Sequence, residues 1–232
     1  MTRNNYNLPA HPQLREGVEK HLGVRRLGRA SAVPAGTTFI VSNFPTWTAT
    51  VTGAVANEDG SDGSYIRMPT SAGSGDASEV ATATKATRFA WSPDLTIKIT
   101  VGTVITNYRA WIGMFASTPT ALATIAGISG AAFGYDTGVD GTVFWRCRSS
   151  NASTQKTTAT TVPVVVSAKV KFRIVCDATN SLVDFYINDD LVATHSASIP
   201  VAATPLDVSV SVTTLEAVAK RISVGYANLL QN

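Results

Sequence analysis

The run "KVKFRIVCDATNSLVDFYINDDLVATHS", Lys169 to Ser196, decides the fold. Val170, Phe172, Ile174 and Cys176 share one face of an extended chain, as do Val183, Phe185 and Ile187, because side chains alternate between faces along a strand. Between the two apolar sets "DATNS" reverses the chain, and "NDD" reverses it again before Leu191 opens a third strand. Asn and Asp tolerate left-handed backbone angles and hydrogen-bond to their own backbone. Asn188, Asp189 and Asp190 are therefore expected as a hairpin tip, not as an acidic site that holds a metal or attacks a sugar.

The same period of two recurs from about residue 37, in runs such as "TTFIVSNF", "LTIKITVGTVI", "YRAWIGMFAS", "TVFWRCRSS" and "LDVSVSVTT", with Gly, Asn, Asp, Ser or Pro clusters between them. That pattern predicts an all-β sandwich and not alternating βαβ units, and no fixed repeat points to a propeller or solenoid. The one helix-like stretch of the body is "TTLEAVAKR". Composition agrees: only 15% of the residues are charged, and Thr, Ser, Ala, Val and Gly, which suit strands and loops, fill the gap. A chain of 232 residues is long enough for one large β domain and an arm.

The expected division is an anchoring arm and linker, residues 1–36, followed by a sandwich, residues 37–232. In the arm Leu14, Val18 and Leu22 form an apolar stripe that fits a short amphipathic helix, weakened by Gly17 and Gly23. Residues 1–30 hold six cations, Arg25, Arg26 and Arg29 among them, against two carboxylates, so of the net charge of +3 the arm carries +4 and the rest −1. A marginal helix with a greasy stripe and a basic back is expected to dock on another protein surface. After residue 30 no stretch spreads Lys and Arg over one face with aromatics between, so no nucleic-acid partner is expected. The opening "MTRNNYNLPAHPQLREG" has no apolar core run, and no segment approaches a membrane span, so neither an export leader nor membrane insertion is expected. Cys147 and Cys176 alternate with apolar neighbours, which favours buried free thiols and leaves a disulfide as the other reading.

No catalytic constellation stands out. Glycoside hydrolysis needs two flanking carboxyl groups, and Glu58, Glu79 and Glu216 are isolated from one another. His11, His21 and His195 lack a nearby acid-plus-serine pattern and read as surface residues; with two cysteines they offer no zinc spacing. "NEDGSDGSY" is expected as an exposed loop, with Asp59 and Asp62 the only metal candidates and neither a metal nor a cofactor expected. Trp47, Trp91, Trp111 and Trp145 sit in alternating strands where core packing is the default. The pair Tyr135 and Asp136, in "YDTGVDG", is the best candidate for a glycan contact.

The stretch "AAFGYDTGVDGTVFWRCRSS…VPVVVSAKVKFRIVCDATNSLVDFYINDDLVATHSASIP" resembles the C-terminal half of a concanavalin A-like lectin and glucanase jelly roll. In that family a strand of the form K-F-R-I-V-x-D precedes a hairpin of the form V-x-F-Y-I-N-x-x-L-V-A, often with a D-G or N-G turn where this chain has "NDD". The resemblance implies an antiparallel jelly-roll β-sandwich and leaves activity open. The E-x-D-x-x-E pattern of the glucanase branch is missing. With its detached arm the chain is also similar to bacteriophage virion proteins such as head fibres, capsid decoration proteins and tail appendages. That similarity implies a non-enzymatic virion protein held by its arm to capsid or tail proteins, a homo-oligomer, with a cell-surface glycan as a further ligand. The alternatives are a carbohydrate-binding lectin-like module and, after it, a degenerate glucanase.

Overall fold

The computed structural model describes residues 38–41, 47–52, 58–59, 66–82, 85–141 and 143–231; of 38–41, 47–49, 52 and 58–59 it describes the backbone alone. The expected arm, with Leu14, Val18, Leu22, Arg25, Arg26 and Arg29, lies outside these residues, and so does Asp62. The first strands in chain order are β1 Thr38–Val41, β2 Trp47–Thr52, β3 Glu58–Asp59, β4 Ile66–Pro69, β5 Ala77–Thr82, β6 Thr87–Arg88, β7 Asp94–Val101 and β8 Tyr108–Phe115. There follow β9 Ser129–Asp136, β10 Phe144–Asn151, β11 Gln155–Pro163, β12 Lys169–Asp177, β13 Leu182–Ile187, β14 Asp190–His195, β15 Pro205–Thr214 and β16 Arg221–Gln231.

Among the described residues all pairings are antiparallel, and they build two sheets. Sheet I runs β14-β13-β12-β7-β16-β4-β3, with β1 also on β16; sheet II runs β11-β10-β9-β8-β15-β5-β2, with β6 also on β15. Alternation drives the sandwich. Ile97 and Ile99 of β7, Phe172 and Ile174 of β12 and Phe185 of β13 face Ile112 and Met114 of β8, Phe133 of β9, Trp145 of β10 and Val210 of β15 in one buried core. Phe172 is its hub, with ring centroids 4.5 Å from Phe133 and 4.8 Å from Trp145. Cys147 and Cys176 are buried free thiols in the same core, and burial raises both thiol pKa values far above the ordinary range.

The deciding stretch forms the meander β12-β13-β14. Ile187 pairs with Asp190, so the tip is the two-residue turn Asn188-Asp189, with φ of +53° and +77°. Positive φ at both positions is the signature of the turn whose twist matches a hairpin, and Asn and Asp reach it more readily than most residues. Asn188 closes the tip onto β12: its N–H donates to Lys171 O at 2.8 Å, and Lys171 N–H donates to Asn188 Oδ1 at 3.0 Å. Lys171 also pairs with Asp189, while Asp190 already belongs to β14.

"TTLEAVAKR" is not a helix. Thr213 and Thr214 stay in β15, paired with Arg109 and Tyr108, so 215–220 must carry the chain from one sheet to the other. This crossover is tied by Thr214 Oγ1, 2.7 Å from Glu216 O and 2.8 Å from Val218 O, and by the Lys220–Glu216 ion pair. Among the described residues the only helical piece is the 3-10 turn Phe89–Trp91.

Candidate functional site

The outward face of sheet II gathers polar and charged groups on an otherwise apolar scaffold. On β8 the even positions Tyr108 to Met114 enter the core, which turns Arg109, Trp111, Gly113 and Phe115 outward. By the same phase β9 turns Gly134 and Asp136 outward, β10 Arg146 and Arg148, and β15 Ser209, Ser211 and Thr213. Glu79 of β5 stands opposite Ser211, which is opposite Trp111, which is opposite Gly134. The Trp111 ring lies over Gly134, where a Cβ would come within 2.7 Å of it. A glycine is needed there for close approach.

Residues 116–128 lie across this face as a strap. Ile125 and Ile128 pack with Trp111, Phe115 and Ala132 in a second, smaller core. The sheet holds the strap chiefly by donating to its backbone carbonyls. Arg109 Nη1 reaches Ala121 O at 3.0 Å, Trp111 Nε1 reaches Leu122 O at 3.0 Å, and Arg148 Nη1 reaches Ala123 O at 2.9 Å. Thr213 Oγ1 bonds Thr120 O at 2.8 Å and Ser150 Oγ bonds Ala126 O at 3.2 Å, while Gln155 Oε1 accepts from Ile125 N–H at 2.7 Å. These bonds satisfy groups that the strap buries.

Each carboxylate beneath or beside the strap is committed. Glu79 accepts from Ser209 Oγ at 2.6 Å, Thr118 Oγ1 at 3.0 Å and Thr120 Oγ1 at 3.2 Å. Asp136 accepts from Arg109 Nε at 2.5 Å and from Gly138 N–H at 2.8 Å. Asp140 meets Arg148 Nη2 at 2.6 Å from both of its oxygens, with Arg146 Nε 3.9 Å away. Arg148 is 1% exposed and its guanidinium sits 5.0 Å from the centre of the Trp111 ring. Burial pulls its pKa down from the ordinary arginine value while Asp140 opposes the pull.

These contacts correct the expected glycan contact. Tyr135 and Asp136 stand at the end of β9, on opposite faces, and both are buried. Tyr135 packs in the inter-sheet core beside Trp145 and Tyr108, with ring centroids at 6.0 and 5.8 Å, and Asp136 is held by Arg109. Neither presents a free group to a sugar. Asp59 lies on β3, its side chain outside the described residues. Glu79 was set aside from sequence as an isolated acid, and Arg109 and Arg148 were not singled out. Their signal is an acid or arginine on the outward phase of a strand that is otherwise small or apolar, as in "ASEVAT" and "FWRCRSS".

His195 is likewise corrected from a surface residue to a buried one, 1% exposed at the end of β14. Its Nδ1 is 2.8 Å from Ser149 Oγ and its Nε2 2.9 Å from Thr158 Oγ1, and the ring packs 4.9 Å from Phe185. No acid is among these contacts, so the arrangement is a core hydrogen-bond bridge from β14 to β10 and β11. Burial first, and then the charge of Lys156, lower the histidine pKa to about 4. An exposed histidine titrates near 6.5, so between these values only the unfolded chain takes up the proton. The stabilisation is complete above about pH 6.5 and is lost as the pH falls toward 4, by about 2–3 kcal/mol. Urea unfolding at pH 7.5 and pH 4.5 checks this against His195→Asn, which does not titrate. The stability gap between wild type and variant should narrow by about 2 kcal/mol at the lower pH; an unchanged gap refutes it.

No protein-family profile matches the chain, and no curated protein matches it in sequence. Its architecture is shared with solved structures. The Bacillus licheniformis beta-glucanase superposes with a TM-score of 0.59 at 10% identity, covering 86% of this chain and 99% of the glucanase. A Lotus tetragonolobus seed lectin gives 0.58 at 13% identity, covering 84% of this chain and 100% of the lectin. The Emp47p carbohydrate recognition domain gives 0.58 at 10% identity, covering 81% and 89%. The fold is thus the all-β jelly roll of concanavalin A-like lectins and glucanases, as the sequence resemblance implied.

Proposed function

We propose that this sandwich is a non-catalytic carbohydrate-binding module. The observation that carries the reading is the commitment of Glu79, Asp136 and Asp140. Hydrolysis of a glycosidic bond needs one carboxyl group free to give a proton and a second to attack or to activate water. On the described part of this face each carboxylate is held by arginine, lysine or hydroxyl groups, Asp207 by Lys85, and the 116–128 strap lies over the sheet. The seed lectin and the Emp47p carbohydrate recognition domain, which share the architecture, suggest the class of ligand. Attachment to a virion through residues 1–36, the sequence's first reading, draws no support from these structures. A glycan array and a reducing-sugar assay on β-glucans test the proposal together. Retention of at least one glycan with no sugar release above the blank is expected. Release that disappears in Glu79→Gln would overturn it.

A further inference from the structure

The outward face of sheet I carries an array that the chain order conceals. Lys98 on β7, Lys169, Lys171 and Arg173 on β12, and Arg221 on β16 all point away from the core, because Ile97, Ile99, Val170, Phe172 and Ile222 occupy the opposite phase. Lys98 stands directly opposite Lys171 on one side and Tyr226 on the other. The sequence reading found no cationic face after residue 30 because these positions are scattered from 98 to 221. Antiparallel pairing of β12, β7 and β16 brings them together.

Three observations set this face apart from an ordinary solvated one. Arg173 is matched by Asp94, at 2.9 Å from Nε and 2.6 Å from Nη2, and Lys171 by Asp189, but Lys98, Lys169 and Arg221 make no ion pair among the described residues. Like charges directly opposite on neighbouring strands destabilise a sheet, so the fold gains nothing from setting Lys98 beside Lys171. The third is a bulge in β16: register with β7 shifts between Val224 and Tyr226. Without the extra residue Tyr226 would share the inward phase of Ile222 and Val224. The bulge turns it outward against Lys98 and returns Ala227 and Leu229 to the core. Bulges re-aim side chains in this way, often at functional positions.

We propose that this face binds an anionic glycan, with carboxylate or sulfate groups on Lys98, Lys169 and Arg221 and a sugar ring on Tyr226. The proposal rests on the glycan-binding reading above and names its ligand class and its place. An aromatic ring offers an apolar platform, and Ser223 and Asn228, outward on the same strand, add hydrogen-bonding groups at sugar-hydroxyl scale. Asp94, Asp177 and Asp184 occupy the far end of the face and repel a polyanion that runs on, which leaves a footprint of about 10 Å across the strands by about 14 Å along them. That is short for the roughly six to ten phosphate contacts on which strong nucleic-acid binding rests.

The test uses the full chain against immobilised heparin, chondroitin sulfate and polygalacturonate, with neutral glucan and mannan and a single-stranded DNA of matched charge. At least one acidic glycan should bind, more weakly as salt rises, since exposed charges are screened over about 8 Å at physiological ionic strength. Lys98→Glu with Lys169→Glu should lower that affinity at least about tenfold, and Tyr226→Ala about threefold, a loss of roughly 0.7 kcal/mol. Lys98→Glu replaces a like-charge pair with an opposite-charge pair to Lys171, so the melting temperature should not fall, and Tyr226→Ala gives a second measure independent of charge. Acidic glycan bound equally by both variants overturns the assignment to this face, as does DNA bound as tightly as the glycans. Neutral glycan binding alone overturns the anionic ligand and leaves the glycan-binding reading standing. No glycan bound at all removes both.

Discussion

Arg148→Ala should destabilise the sandwich by about 3–5 kcal/mol, the range for removing one partner of a buried ion pair. The change strips Asp140 of its two 2.6 Å contacts, leaves the Ala123 carbonyl without its donor and uncovers the Trp111 ring. The cost comes from what is left behind: a carboxylate with little exposure whose remaining cation among the described residues is Arg146 at 3.9 Å. Arg148→Met combined with Asp140→Asn, which removes both charges, should therefore cost much less than Arg148→Ala alone. Chemical denaturation of the two variants decides the matter. A single variant that loses under 1 kcal/mol, or a double variant as unstable as the single, would show that the pair is not what holds this corner.

Phe185→Ala should cost about 3–5 kcal/mol through lost burial and the cavity left behind. The ring is fully buried on β13, edge-on to Phe133 at 5.4 Å and packed on His195 at 4.9 Å. It stands between Ile174 and Ala193, at the place where β14 carries a bulge, Val192, opposite β13. No neighbour on its own sheet can move in to fill the space without breaking that register. Leu191→Ala, in the same hairpin but 56% exposed, should change stability by less than about 0.5 kcal/mol. Similar losses for the two variants would mean that the inward and outward phases of the hairpin have been assigned wrongly.

That phase was readable because the deciding stretch has one face in the core and one in water, so alternation in sequence is alternation in space. Strand β8 shows where this fails. Seven of its eight residues are buried, because the strap covers its second face, and Trp111 reads like an inward residue when it is an outward one. The candidate site was less legible for the same reason. Asp136 was singled out with the wrong surroundings, since nothing in "YDTGVDG" tells of Arg109 on the next strand. Glu79 and Arg148 find their partners only through side-chain contacts between residues far apart in the chain, 39 positions for Thr118 to Glu79, 130 for Ser209 to Glu79 and 25 for Arg148 to Ala123. His195 looked like a surface residue because its two hydroxyl partners come from β10 and β11, strands that are distant in the chain.

The way the strap is seated has a consequence for how this protein can diversify. Beside the packing of Ile125 and Ile128 and the bonds of Thr118 and Thr120 to Glu79, its anchors are chiefly donors on the sheet, and what they grip are the carbonyls of residues 120, 121, 122, 123 and 126, which every amino acid supplies. The side chains at Ala121, Leu122 and Thr124 are exposed and are not what fixes the backbone. Substitutions at those three positions leave the anchoring bonds intact, so new surface chemistry can accumulate there without unseating the segment. In engineering terms, these three positions are a grafting platform, where side chains chosen for their own recognition properties inherit a backbone already held in place.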